Sequence, residues 1–275
     1  MGKNSELDKF YTKIAIAEEC ALLLAKYTKC TTWLEPSAGA GSFIDASKKL
    51  GINIVGYDIA PERADIKHLD FLKDILSVPN TFCIIGNPPF GVASSLAIKF
   101  FNRASSYKPL FIAFILPATF EKISVQNKLD RSYHLIYSKK LPKDSFELEG
   151  LSYNVPCVYQ IWRYRHVLRK LVVPPTENKW LSYVTPNEAT FIIKRVGGRA
   201  GMIFDITELD NPAPSSHYFC KEKKKGVKEV LKKLDFETIR NSTAGVRSIS
   251  KREITMLLMD YYKETPDDDK LIKLF

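Results

Sequence analysis

No stretch of this 275-residue sequence stays apolar for the roughly 18 residues that a membrane-spanning helix needs. Nor does an apolar signal region follow the charge at its start, Met1-Gly2-Lys3-Asn4-Ser5. These absences predict a soluble, intracellular protein of the cytoplasm with no membrane partner. Cysteine is sparse: Cys20, Cys30, Cys83, Cys157 and Cys220 are odd in number and never form a Cys-x-x-Cys pair. The pattern indicates neither a disulfide framework nor a zinc site, and predicts five reduced thiols, most of them buried. The four histidines, His68, His134, His166 and His217, stand far apart, so no metal is predicted. No Gly-Lys-Ser or Gly-Lys-Thr occurs, which removes the lysine and hydroxyl of a phosphate-binding P-loop and argues against ATP.

What is present is an ordinary globular composition, 45% hydrophobic and 26% charged, in a chain long enough for a medium catalytic domain with a smaller appendage. Lys and Arg outnumber Asp and Glu by 41 to 31, and the excess is uneven: between residues 163 and 253, 19 basic residues face 10 acidic ones. Such a bias suits a polyanion partner, DNA or RNA, whose phosphates attract Lys and Arg regardless of sequence. A solvated basic surface is the plainer alternative.

Thr12 precedes Ile14, Ile16, Ala17, Cys20, Leu23 and Leu24, a spacing that predicts an amphipathic helix ending near Tyr27 with Thr12 as its N-cap. A strand at 31–34 is stopped by Pro36 and followed by a small-residue loop, Ser37-Ala38-Gly39-Ala40-Gly41, then a helix over about 42–50. Residues 52–57 and 82–85 read as strands ending at Asp58 and Asn87; 93–105 as a helix, 111–116 as a strand, 119–129 as a helix. Apolar runs without alternation mark strands covered on both faces, and strands alternating with helices imply a mostly parallel α/β sheet. The alternation then fades. Residues 133–137 and 155–162 look like strands with no helix between them, as a hairpin closing the sheet would. A boundary is expected near residues 164–178, dividing a catalytic domain, 1–164, from a small basic α+β region, 165–275. In the latter, apolar segments flank Gly197-Gly198 as a hairpin, and helices are expected near 226–235 and 250–263.

Leu34-Glu35-Pro36-Ser37-Ala38-Gly39-Ala40-Gly41 lets the backbone turn sharply and approach a ligand closely. A dinucleotide fingerprint would need a small residue at position 44, which is Ile44, so NAD is disfavoured. Asp58, at the end of the next strand, is placed to accept hydrogen bonds from the two hydroxyls of a ribose. Asn87-Pro88-Pro89-Phe90 is the sharper signal. Two prolines fix the backbone, so that Asn87 Oδ1 and the Pro88 carbonyl can converge on one NH2 group. Two acceptors on an aromatic amine draw its nitrogen towards a pyramidal, nucleophilic form, and Phe90 can stack on the ring. Read singly, the loop and the Asn-Pro-Pro turn are each open to a purely structural role.

Taken together, Asp8-Lys9-Phe10-Tyr11-Thr12-Lys13, the loop from Glu35 to Gly41, Asp58, Asp70-Phe71 and Asn87 to Phe90 resemble the S-adenosylmethionine-dependent amino-methyltransferases, especially the DNA N6-adenine enzymes. The resemblance covers roughly residues 8–162. It implies a Rossmann-like class I fold, a mostly parallel seven-stranded sheet ending in an antiparallel hairpin. It implies a cofactor, S-adenosylmethionine, whose methionine part meets Phe10, Tyr11, Thr12, Glu35, Ser37, Gly39 and Gly41. Asp58 would take its ribose; Asp70 would bond its adenine and Phe71 pack on it. The catalytic motif is Asn87, Pro88, Pro89 and Phe90. A second aromatic often covers the target base, and Phe146 and Tyr153 are the candidates. The order of the motifs resembles the class whose recognition region is C-terminal, so Lys223, Lys224 and Lys225 are expected on a nucleic-acid backbone.

The implied reaction is methyl transfer to N6 of adenine in DNA, with the base flipped out and no covalent enzyme intermediate. Asn-Pro-Pro-aromatic also occurs in enzymes that methylate RNA bases, at adenine N6 or guanine N2, and protein glutamine; these remain alternatives. So does a non-catalytic nucleic-acid-binding subunit that keeps the fold.

Overall fold

In a computed structural model of the chain, residues 11–148, 151–172, 177–240 and 246–264 are described. The chain divides into two compact units, Met1–Leu171 and Val172–Phe275.

The first unit runs β1 (Tyr11–Thr12), α1 (Ile14–Tyr27), β2 (Thr32–Glu35), α2 (Ser42–Lys49), β3 (Asn53–Asp58), β4 (Ile66–His68), β5 (Cys83–Gly86), α3 (Ser95–Ser106), β6 (Phe111–Pro117), α4 (Ile123–Gln126), β7 (Tyr133–Lys140), β8 (Phe146–Leu148), β9 (Leu151–Tyr153) and β10 (Cys157–Tyr164). Seven strands form one sheet in the order β4-β3-β2-β5-β6-β10-β7. Five of them, β4 to β6, are parallel, and β10 is antiparallel to both its neighbours. This is the Rossmann-like, mostly parallel sheet with a closing antiparallel pair. Its central strands show why uninterrupted apolar runs mean two-sided burial. Cys83, Ile85, Ala113 and Ile115 pack with Ala17, Cys20 and Leu24 of α1 and Phe43 and Ile44 of α2. Their alternates Ile84, Ile112, Phe114 and Leu116 pack with Ala97, Phe100, Phe101 and Ala104 of α3. One period-2 strand thus feeds two cores.

Several boundaries differ from expectation. Thr12 does not cap α1: it lies in β1, paired with Phe146, and the cap position falls to Lys13, whose side chain makes no capping bond. Pairing of β1 with β8, continued by Lys13 N to Ser145 O at 3.1 Å, keeps the chain extended until the helix starts. The helix expected over 119–129 is broken into a 3-10 turn, Ala118–Glu121, and the single turn α4, because Lys122 between them is extended at φ −77°, ψ 131°. Regular α3 starts at Ser95, after Ala93 and Ser94 adopt positive φ. Between β7 and β10 the chain makes a small second sheet, β1-β8-β9.

The second unit contains β11 (Leu181–Tyr183), β12 (Phe191–Lys194), β13 (Ile203–Asp205), β14 (His217–Glu222), α5 (Val227–Lys233), α6 (Glu237–Arg240) and α7 (Lys251–Glu264). Its sheet is antiparallel, in the order β11-β14-β12-β13. Phe191, Ile193, Leu181 and Cys220 meet Val227, Leu231, Ile254 and Leu258 in a core of its own. Among the described residues, no helix is long and apolar enough to cross a membrane.

Candidate active site

In an open parallel sheet, ligands bind beyond the carboxyl ends of the strands, where the strand order reverses. Here that point lies between β2, from which the chain proceeds to β3 and β4, and β5, from which it proceeds to β6. Glu35 ends β2, Asp58 ends β3, and Asn87 follows β5 directly. A cleft opens there, lined by Tyr11, Thr12, Glu35, Ser37, Ala38, Gly39, Ser42, Phe43 and Asn87. Six of these were singled out from sequence. The short β1 brings Tyr11 and Thr12 to the place.

The glycine loop is held from several sides. Ala38 N donates to Tyr57 O at 2.9 Å, Gly39 N to Asp58 Oδ2 at 2.8 Å, and Ser37 Oγ to Asn87 O at 3.2 Å. The last bond ties the loop to the Asn-Pro-Pro-Phe segment. Gly39 and Gly41 have φ of 50° and 86°, a left-handed region that side chains disfavour. A Cβ on Gly39 would also lie 3.2 Å from the Tyr11 ring. Asp58 spends its other oxygen on Ala60 N at 2.9 Å. Each oxygen keeps a second lone pair.

Two acceptors in the cleft are buried without a partner, Glu35 Oε2 and Thr12 Oγ1. Glu35 is 1% exposed; its burial, then the charge on Asp58, push its carboxyl well above the usual carboxylate range, while Arg63 pulls it down. The Tyr11 hydroxyl donates to Glu62, and burial together with that carboxylate pushes it up to about 12, so it stays a phenol. Glu35, Asp45, Asp58, Glu62 and Asp65 crowd this edge against Arg63 and Lys48, giving it an acidic character. A buried, unpartnered carboxylate in an acidic cleft suits a cationic ligand group.

In the Asn87 to Phe90 motif Pro88 is buried, whereas Asn87, Pro89 and Phe90 are partly exposed. Phe90 packs against both cores, and its carbonyl accepts Leu96 N at 3.1 Å and Ala97 N at 3.3 Å, fixing the segment to the start of α3. Asp70 Oδ1 accepts Leu72 N at 3.1 Å, and Lys73 pairs with Asp70 at 3.0 Å; both lower its pKa. Phe71, expected to pack on an adenine, is 2% exposed, its ring against Phe100 and Tyr107. Phe146 is a correction. It is 1% exposed in the core, because the β8 register opposite Thr12 turns it inward, so it is not available to cover a base. Phe10 lies outside the described residues, as does the side chain of Tyr153, whose backbone pairs with Phe146.

Lys223, Lys224 and Lys225 follow β14 in the second unit. Lys223 Nζ donates to Asn178 O at 3.1 Å, Lys224 Nζ sits 4.3 Å from the centre of the Tyr262 ring, and Lys225 is exposed. The charge is also distributed otherwise than expected. Arg163, Arg165, Arg169 and Lys170 belong to the first unit, which leaves the second with 18 basic and 15 acidic residues. Arg163 pairs with Phe111 at the start of β6, the end of that strand away from the cleft.

Sequence reading missed Arg63 and Asp45. Arg63 Nη1 and Nη2 bond both oxygens of Asp45, at 2.8 and 3.0 Å. Only their positions, four residues past Gly41 and five past Asp58, hinted at a shared neighbourhood.

The fold and the placement of these residues define a class I methyltransferase-like architecture. Residues 45–162 match the family model of the EDM2 methyltransferase-like domain, a span that holds Asp58, Asp70 and Asn87 to Phe90 and begins after the glycine loop. Over 132 residues the chain is 32% identical to Protein ENHANCED DOWNY MILDEW 2 of Arabidopsis thaliana; the match takes in 45% of this chain and spans 9% of that protein's length. Similar solved structures include a Listeria monocytogenes protein provisionally assigned as a class I S-adenosylmethionine-dependent methyltransferase, at 19% identity and TM-score 0.47 over 64% of this chain and 66% of that one. Another is a Pyrococcus horikoshii protein provisionally assigned as an RNA methyltransferase, at 15% identity and TM-score 0.46 over 59% of this chain and 90% of that one.

Proposed function

We propose that this chain transfers a methyl group from S-adenosylmethionine to an exocyclic ring amine, N6 of adenine in DNA. The observation that carries the reading is Asn87 in one cleft with Tyr11, Thr12, Glu35, Ser37 and Gly39, at the switch point of the sheet.

The residues fit the cofactor. Buried and unpartnered, Glu35 Oε2 suits the ammonium of its methionine part as an acceptor, and the Thr12 hydroxyl suits the carboxylate as a donor. The free lone pairs of Asp58 suit ribose hydroxyls. Bound there, S-adenosylmethionine supplies an electrophilic methyl group. Asn87 then accepts a hydrogen of the target amine with the Pro88 carbonyl, drawing the nitrogen lone pair out of ring conjugation. Phe90 stacks on the extruded base. Positioning and charge redistribution at the amine are the catalytic terms. All five cysteines are free, and burial raises Cys20, Cys83, Cys157 and Cys220; none is needed as a nucleophile.

The test is incubation of the full chain with labelled S-adenosylmethionine and, separately, unmethylated DNA, ribosomal RNA and a protein extract, followed by digestion and mass spectrometry. N6-methyladenine in DNA is the expected product. Label in RNA or on protein glutamine would overturn the substrate and keep the chemistry; a protein that binds the cofactor and labels nothing would be a non-catalytic partner.

A further inference from the structure

Arg63 stands between β3 and β4 and reaches two carbonyls of the glycine loop together with Asp45 and Asp65. Its Nε donates to Asp65 Oδ1 at 3.0 Å and its Nη2 to Asp65 Oδ2 at 2.9 Å and Asp45 Oδ1 at 3.0 Å. Its Nη1 donates to Asp45 Oδ2 at 2.8 Å and is shared between the carbonyls of Ala40 at 3.3 Å and Gly41 at 3.5 Å. A guanidinium has five N–H groups in a rigid fork, and all five are used here. The fit is close: a Cβ on Gly41 would lie 2.4 Å from Arg63 Nη1.

We propose that Arg63 is a positioning residue for cofactor binding, holding the Ala40 and Gly41 carbonyls outward and Asp45 fixed while Asp58 holds Gly39 from the other side. This rests on the reading of the cleft as an S-adenosylmethionine site. The loop's backbone at Gly39 then has one conformation, anchored at both flanks by groups from β3 and the turn after it. Glu62, the preceding residue, accepts the Tyr11 hydroxyl, so a single two-residue step fixes both walls of the cleft. Remove the guanidinium, and the Ala40 carbonyl loses this donor, Gly41 O keeps Asp45 N at 3.0 Å, Asp45 loses its bidentate ion pair, and Asp65 keeps Lys48 at 2.9 Å.

The test is calorimetric titration of the full chain with S-adenosylhomocysteine, alongside thermal unfolding without ligand. Arg63→Ala should weaken binding by about tenfold or more, a loss of roughly 1.4 kcal/mol or more, and in turnover should raise KM for the cofactor more than it lowers kcat. Arg63→Lys, which keeps the charge without the fork, should recover only part of the affinity. Asp65→Asn, which spares the Asp45 and carbonyl bonds, should lose less than Arg63→Ala. Equal affinity in Arg63→Ala and wild type, with only Tm lowered, would make Arg63 a stability residue and overturn the proposal alone. If Arg63→Ala does not fold, full affinity in Arg63→Lys would overturn it instead. A wild-type chain that binds no S-adenosylhomocysteine or S-adenosylmethionine would overturn the cofactor reading, and this proposal with it.

Discussion

In the first unit, Glu35 and Thr12 are almost fully buried and each keeps an acceptor unpaired at a cleft. In the second, polar groups are spent on the unit itself. Asn178 donates to Thr255 Oγ1 at 3.0 Å and accepts Trp180 N and Leu181 N, both at 3.0 Å. Lys251 sits over Tyr183 and Tyr218, Arg195 over Tyr218, and Lys224 over Tyr262. Among the described residues there, Arg195 Nε is the one buried side-chain polar atom without a partner. An unpaired buried acceptor costs roughly 1–3 kcal/mol, so a fold that keeps two of them in one cleft is shaped for something that binds there. Cations already seated on rings have less to offer a ligand.

The hardest blow to this contrast would come at Asn87. Asn87→Ala should lower kcat by about 10²–10³, the scale of a lost oriented polar group at a reacting centre, while sparing cofactor affinity; full activity on DNA would sink the mechanism. Next in size is the second unit's own core. Leu231→Ala, at a fully buried site, should destabilise that unit by about 2–5 kcal/mol and leave S-adenosylhomocysteine binding by the first unit unchanged. Calorimetric unfolding with and without ligand reads both, and loss of binding would show that the units are not separable.

Glu35→Gln should weaken cofactor binding by about tenfold, for the loss of a charge-assisted bond. The pH dependence has a definite sign. Because the folded-state value of Glu35 is raised, its contribution favours the fold at low pH and is lost as pH rises through that value. A cationic ligand selects the ionised form, so affinity should fall as pH is lowered through it, and the Gln variant should show a flatter titration. Smallest is charge reversal at Lys223, Lys224 and Lys225. It should weaken DNA binding and lower the salt slope, by less than about one contact for each of the two lysines held internally. An unchanged slope would assign the run to the unit's own stability.

Legibility followed the physics of each signal. The apolar runs at 83–86 and 111–117 read as strands because two-sided burial removes alternation, and the glycine loop because left-handed backbone there needs glycine. The segment 217–222 was passed over, although it is β14, a central strand: its apolar residues are few and it runs into the charged Lys221 and Glu222. Phe146 is a candidate to cover the base on sequence alone, since nothing local tells which face of a three-residue strand turns inward.

The sequence by itself determined what is local and periodic: the α/β alternation, the loop that admits close approach, and the Asn-Pro-Pro-Phe corner. Tertiary structure alone decided which carboxylates share a cleft, that Phe146 is core, that Arg163 lies at the strand end away from the cleft, and that Arg63 bonds Asp45 and the loop carbonyls. Those are facts of register and strand order, set by how distant segments pack, and residue spacing along the chain does not carry them.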